Sequence, residues 1–458
     1  MKKRLLFLSC LLLTVVSTQA QSITDLINQT DLSRLTTTVR EFSGEDPTTV
    51  YGNPETILNR VSNTGNDVAA YYIKERMENL GLSVEEYDYS SGGKNIIATQ
   101  FGVTNPNDIY LISAHYDSVA NYCADDNASG VAAIIELARI LSVHCTDNTI
   151  VYAFWDEEES GLNGSAAYAQ RANTDGDNIL GVFNIDMMGY DGDNDKNFDI
   201  DVRPFAQSIA MKDAIIDVLN NPAYGFDLVV NVVNPGTTAS DHASFWGQGY
   251  SAVLFGESWE QGDVTPGYHS SSDRINLFNM PYYHQMCKLV VGYMATVANP
   301  IFIDTSVTQN ATTLTATQSG ASYQWVDCNA GNAPISGAIN QNYSPTVSGS
   351  YAVEITNGNC TKTSSCITFN VLEVSEYNLE VINVYPNPTT NSVTISGASY
   401  EDQVRSVRLV TLTGQEVLSK KVTALSTTIN LATFPSGIYF LELRNKANKK
   451  RIIKLIKE

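Results

Sequence analysis

The stretch TIVYAFWDEEESGLNGS, Thr149 to Ser165, joins an apolar run to four consecutive acids and then to a polar segment punctuated by glycine. An apolar run of this length, ended by turn residues, has the form of a strand buried on both faces, as in sheets covered by helices. Asp156, Glu157, Glu158 and Glu159 therefore stand just beyond a strand's carboxyl end, where open α/β sheets place their sites. The same form recurs in NIIATQF from Asn95, DIYLISA from Asp108, ILGVFNI from Ile179 and SAVLFG from Ser251. Between the strand-like runs, ASGVAAIIELARILS carries helical apolar spacing. So does ETILNRVSNTGNDVAAYYIKERMENLG, which stops at Gly81. Alternation of this kind predicts an α/β domain with a mostly parallel mixed sheet flanked by helices.

Beyond Pro300 the composition shifts to Thr, Ser, Asn and Gly with alternating apolar residues. SYQWVDC, NYSPTV and GSYAVEITNGNC read as strands of a small β-sandwich, and a Trp followed by later cysteines suits an immunoglobulin-like domain. LEVSEYNLEV reads as a linker, and a last β-rich unit runs to the basic end KANKKRIIKLIKE. At the other end, Lys2, Lys3 and Arg4 precede the apolar run Leu5–Val16 and the small-residue site Thr18-Gln19-Ala20, a signal peptide cut after Ala20. The expected divisions are signal peptide 1–20, amino-terminal arm or propeptide 21–52, α/β domain 53–299, immunoglobulin-like β-domain 300–371, linker 372–379 and β-rich unit 380–458.

With 458 residues and a formal net charge of -21, the chain has room for several cores and is poorly suited to nucleic acid or anionic membrane. No run after the signal peptide approaches the ~20 apolar residues of a membrane span. Cys10 lies in the signal's apolar run, leaving Cys123, Cys145, Cys287, Cys328, Cys360 and Cys366 in a compartment where disulfides persist. Cys123 and Cys145 flank a predicted helix and are candidates to pair, while Cys287 in MCKLVVGYM has the surroundings of a buried free thiol.

Chemistry-bearing side chains follow the strands: His115 and Asp117 after DIYLISA, the four acids after TIVYAFW, Asp186 after ILGVFNI and Glu257 after SAVLFG. Asp125 and Asp126 precede a helix and would serve equally as caps. Of five histidines, His115, His242 and His269 sit in polar turns, whereas His144 and His284 read as structural or surface residues. Mixed imidazole and carboxylate ligands suit zinc. Their number exceeds the needs of one ion, which makes a two-metal site with a shared carboxylate the economical reading.

The ordered motifs HYDS, ADDNASG, EESGLNGS, NIDMMGY, SDHASF and GYHSSSD resemble those of the co-catalytic di-zinc aminopeptidases of the bacterial leucyl aminopeptidase type, over about Asn53 to Ala298. The resemblance implies a zinc exopeptidase fold and two zinc ions. It also implies His115, Asp126, Glu159, Asp186 and His269 as ligands, with Asp126 bridging and Glu158 as general base. Asp117 is expected to orient the His115 ring, and Asp241 and His242 to shape the pocket wall and make supporting hydrogen bonds. NVVNPGTTASDH lacks the cysteine pair and tyrosine of well-known relatives, with Tyr250 and Tyr268 as possible substitutes.

YDGDNDKNFDID, Tyr190 to Asp201, lacks the Gly and Glu of a calcium loop and reads as a solvated acidic loop. From about Glu380, VYPNPTTNSVTIS, LVTLTGQEVL and FPSGIYFLEL resemble the sorting domain of the type IX secretion system. That likeness implies contact with secretion machinery, outer-membrane export, and a secreted or surface-attached product. The combined expectation is an aminopeptidase acting on peptides with a free amino terminus. Its rivals are a carboxypeptidase or glutaminyl-cyclase-like enzyme on the same scaffold, and a catalytically inactive surface adhesin.

Overall fold

A computed structural model describes residues 22–61, 64–371, 382–397, 404–445 and 450–458. The signal peptide and the 372–379 linker lie outside them. Two compact units divide after Phe369.

In the first unit, α1 (Ile23–Ile27) and α2 (Leu32–Phe42) lead to α3 (Thr64–Asn79). Strands β1 (Ser83–Asp88), β2 (Lys94–Gln100) and β3 (Asn105–His115) follow, then α4 (Gly130–Leu141), β4 (Asn148–Trp155), α5 (Asn163–Asp175) and β5 (Ile179–Ile185). The set closes with β6 (Asn197–Asp201), α6 (Ser208–Leu219), β7 (Val229–Val233), α7 (His242–Gly247), β8 (Ala252–Glu257) and α8 (Met280–Ala298). The eight strands form one sheet in the order β7-β6-β8-β5-β3-β4-β2-β1. β3 runs parallel to both β4 and β5, β8 parallel to β5, and β7 parallel to β6; the β6–β8, β2–β4 and β1–β2 pairs are antiparallel. Apolar side chains from opposite faces enter separate cores, with Ile112, Phe154 and Phe183 in one and Leu111, Val151 and Val182 in the other. This two-sided burial is what makes β3, β4 and β5 continuous apolar runs.

Three expectations need correction. The helix expected from Glu55 begins only at Thr64, because the segment before it is used otherwise. Arg60, fully buried, donates to the carbonyls of Phe42 (3.1 Å), Tyr116 (2.9 Å), Tyr122 (2.7 Å) and Cys123 (2.8 Å), so it ties the end of α2 to the loop after β3. Arg60→Met would strand these carbonyls and is expected to cost roughly 3–5 kcal/mol, read as a lower urea midpoint. An unchanged midpoint would remove that role. Cys123 does not pair with Cys145: α4, about 18 Å long at its 12 residues, separates them beyond disulfide reach. Cys145 instead bonds Cys360, Cys328 bonds Cys366, and Cys123 and Cys287 are buried free thiols. Finally, the acidic segment before Asp201 is not all loop. Its last five residues are β6, with Asp199 2% and Asp201 5% exposed.

The arm is part of the α/β core: Leu26, Ile27, Leu35, Val39 and Phe42 are buried within it. Residues 300–369 add two small sheets, of three and five strands, around a fully buried Trp325 stacked on Tyr343. Cys328 follows Ser322–Asp327 and Cys366 precedes Ile367–Phe369, two strands of the same sheet. The bond between sheets that marks immunoglobulin domains is therefore not the one formed. In the second unit a three-stranded and a four-stranded sheet enclose Val393, Val407, Leu409 and Leu441.

Candidate metal centre

The loop after β4 answers how two neighbouring glutamates can face one site. Strand geometry would send them to opposite faces, but β4 ends at Trp155 and Glu157 turns the chain with φ of 56°. The Asp117 carboxylate then accepts from the backbone N–H groups of both Glu158 and Glu159, at 3.2 Å each. The Glu158 carbonyl accepts from Gly161 and Leu162, closing the turn. Asp156 is structural: it is buried and accepts from Asn66 Nδ2 and the Lys94 and Glu157 N–H groups. Glu157 accepts from the Tyr89 hydroxyl.

His115, at the end of β3, places Nε2 3.1 Å from Asp126 Oδ1 and 3.4 Å from Asp186 Oδ1. His269 places its own Nε2 3.4 Å from Asp126 Oδ2 and 3.1 Å from Glu159 Oε2. Asp126 thus presents one oxygen to each imidazole, and two half-sites form on either side of it. His115, Asp126 and Glu159 can offer ligand atoms all within 4.8 Å of one another. Asp126 Oδ2 and Glu159 Oε1 are buried without a hydrogen bond, the condition expected of oxygens that await a cation. Two imidazoles and three carboxylates are a donor set that fits zinc.

Electrostatics point the same way. Burial and nearby acids push Glu158 well up, and burial with Asp126 raises Glu159 to about 8. Burial opposes charge on His115, yet Asp186 and Glu158 outweigh it and raise its pKa. Burial also pushes Asp186 upward, but His115 and the Ser240 hydrogen bond overcome this and lower it. An excess of buried negative charge of this kind is relieved by divalent cations.

The supporting residues are partly those expected. Asp117 Oδ1 lies 3.3 Å from His115 Nδ1, though too poorly aligned to form a hydrogen bond. Asp241 is buried and raised to about 7 by burial, but its oxygens make no hydrogen bond. The bond expected of it comes from its neighbour Ser240, which donates to Asp186 Oδ2 at 2.7 Å. His242 points away, with Nε2 3.0 Å from the Thr237 carbonyl. Tyr250 is also directed elsewhere, donating to Asp177 O, whereas Tyr268 stacks on His269 and lines the cavity.

Two acids set the frame, Asp273, which was not expected, and Asp125, which was expected at most to cap a helix. Asp273 accepts from the N–H groups of Asp125 and Asp126, at 3.0 Å. Asp125 in turn accepts from Met188 and Gly189, just past Asp186. They couple the ligand loops through backbone groups, a role that leaves no spacing signal. Asn127 Oδ1 accepts from Gly130 N at the start of α4. Elsewhere Asp191, Asp193 and Asp263 come together, with Asp191 held by Asn279 and the Lys196 N–H. Beside the centre opens a cavity of about 430 Å³, whose walls include His115, Asp126, Glu158, Glu159, Asp186 and His269.

A mixed sheet carrying imidazoles and carboxylates at its strand ends, beside such a cavity, suits a metal centre with room for a substrate. Residues 95–294 match Peptidase family M28, a zinc metallopeptidase family, and residues 383–458 match the Secretion system C-terminal sorting domain. The chain is thus similar to family M28 over the first segment, which is less than half of its length, and to a type IX secretion sorting domain over the second. Among curated proteins, a "Probable zinc metalloprotease" of Pyrenophora teres is 33% identical over 30% of this chain and 32% of its own length. A "Probable leucine aminopeptidase" of Trichophyton verrucosum is 26% identical over 47% of this chain and 60% of its own. The chain thus spans between about a third and three-fifths of these relatives. The aminopeptidase LapA of Legionella pneumophila shares the fold with a TM-score of 0.52 and 19% identity, covering 60% of this chain and 74% of that one.

Proposed function

We propose that the chain is an exported, zinc-dependent aminopeptidase that removes residues from the free amino ends of peptides. The observation that carries this reading is Asp126, whose two oxygens each face an imidazole at 3.1 and 3.4 Å. In this assignment His115 and Asp186 would hold one zinc and Glu159 and His269 the other, with Asp126 offering an oxygen to each. Bound zinc supplies Lewis acidity, polarising the scissile carbonyl and making water a usable nucleophile at neutral pH. Glu158 is the general base: it takes the proton of the attacking water and returns it to the leaving amine. Ser240 and Asp117 fix Asp186 and the glutamate turn, so that these groups need not reorganise during the reaction. The adjoining cavity receives the first side chain of the peptide. The amino-terminal leader pattern and the sorting domain direct the product outside the cell, free or surface-attached.

The full chain, dialysed and analysed for metal, is expected to carry two zinc equivalents and to hydrolyse aminoacyl p-nitroanilides but not their N-acetyl forms. Equal turnover of the blocked substrates would overturn the aminopeptidase assignment. Cyclisation of amino-terminal glutamine in place of hydrolysis would support the cyclase rival. A folded protein without zinc or turnover would leave the adhesin reading.

A further inference from the structure

The segment NFDID, Asn197 to Asp201, alternates apolar and acidic residues. As strand β6 it sends Phe198 and Ile200 into the core and leaves Asp199 and Asp201 together on the other face. The β6–β8 register sets Asp201 beside Leu254 and Asp199 beside Gly256. All four line the cavity that holds the metal centre, together with Glu260.

Asp199 is anchored at both oxygens, by Asn231 Nδ2 at 2.8 Å and the Glu260 N–H at 2.9 Å. Asp201 is different. Its Oδ1 accepts from the Thr237 N–H at 2.7 Å, while its Oδ2 makes no hydrogen bond among the described residues, although the residue is only 5% exposed. Burial, with Asp199 and Glu260 nearby, raises Asp201 to about 6. Among the described residues, no Lys or Arg lines the cavity. Arg203, two residues on, donates to the Gly236 carbonyl and lies over the Trp246 ring. Met187, Leu254 and Trp259 supply apolar wall to the same space.

We propose that Asp201, Asp199 and Glu260 form the acidic end of the pocket for the substrate's first side chain, and that the enzyme selects peptides beginning with Lys or Arg. The proposal rests on the aminopeptidase reading. Position decides which cationic group of the substrate these acids meet. β6 lies two strand spacings, roughly 10 Å, from β5, whose end carries Asp186. The substrate's α-amine sits two bonds from the reacting carbonyl carbon and stays near the metal ligands. The far end of a Lys or Arg side chain can span the remaining distance. Its aliphatic stem would lie along Leu254 and Trp259 while its charged head pairs with Asp201 Oδ2. A leucine side chain would instead leave Asp201 Oδ2 without a partner, and a site built for a polar group rejects ligands that lack one.

The test is kcat/KM of the zinc-loaded full chain for Lys, Arg, Leu and Glu p-nitroanilides. Lys and Arg are expected to exceed Leu by at least about tenfold. Asp201→Asn and the double variant Asp199→Asn/Asp201→Asn should reduce the Lys-to-Leu ratio by about tenfold or more, chiefly through KM. Turnover of the Leu substrate shows that a variant is folded. If both variants fail to fold, Glu260→Gln, at an exposed position, must still lower the ratio. A wild-type preference for Leu, or an unchanged ratio in the folded variants, would overturn the basic-residue proposal alone. Absence of turnover on every aminoacyl substrate would overturn the aminopeptidase reading and this proposal with it.

Discussion

Glu158→Gln is expected to lower kcat/KM by about 10³-fold while zinc content and fold stay as they are. The substitution keeps size and shape but removes the ability to accept a proton. Little else should change. The turn is held through the main chain, by Asp117 below and by the Gly161 and Leu162 N–H groups above, none of which involves the Glu158 side chain. That side chain is 9% exposed and faces the cavity beside His115 and Asp186. A variant with full metal and near-normal turnover would take the base role away from Glu158.

The second large effect concerns metal stoichiometry. Asp126→Ala removes the oxygen facing each imidazole, so both half-sites lose a ligand and zinc should fall towards zero, with activity lost. Glu159→Ala withdraws a ligand only from the side of His269, 3.1 Å away, and is expected to leave about one equivalent bound. Elemental analysis of the two variants side by side reads the difference. Equal loss in both, or full zinc in either, would contradict the division of ligands around Asp126. Both variants also relieve buried negative charge, so lower thermal stability than the parent is not the expected result in metal-free buffer.

Legibility in the sequence followed burial. Strands covered on both faces, such as DIYLISA and TIVYAFW, announce themselves as apolar runs, and their ends deliver His115 and the glutamates. β1, with the sequence SVEEYD at the sheet edge, lacks that signature, whereas β7, the half-buried strand at the other edge, is the apolar run VVNVV. β6 was hidden for another reason. Its alternation of Phe, Asp, Ile and Asp is a strand pattern, but the acids before it made the whole segment read as loop. Side chains that touch the centre were readable because their chemistry is in their identity. Asp125 and Asp273, which act on backbone N–H groups, and Ser240, which corrects an expectation placed on Asp241, depend on the folded path of the chain. The same holds for Cys145, whose partner depends on how the later β-strands pack rather than on proximity along the chain.

The Cys145–Cys360 bond spans a sequence separation of 215, and that span sets an order of events. In a chain that emerges amino end first, Cys145 is present long before Cys360. During that interval Cys123, Cys287 and Cys328 are all present as alternative partners; in the finished fold Cys328 bonds Cys366 and the other two are buried free thiols. Burial removes a thiol from exchange. Once the α/β core has closed, those two sulfurs are hidden and Cys145 is left for Cys360. The bond is a covalent latch between the α/β core and the β-strands that follow it, and it can close only after Cys360 has been made.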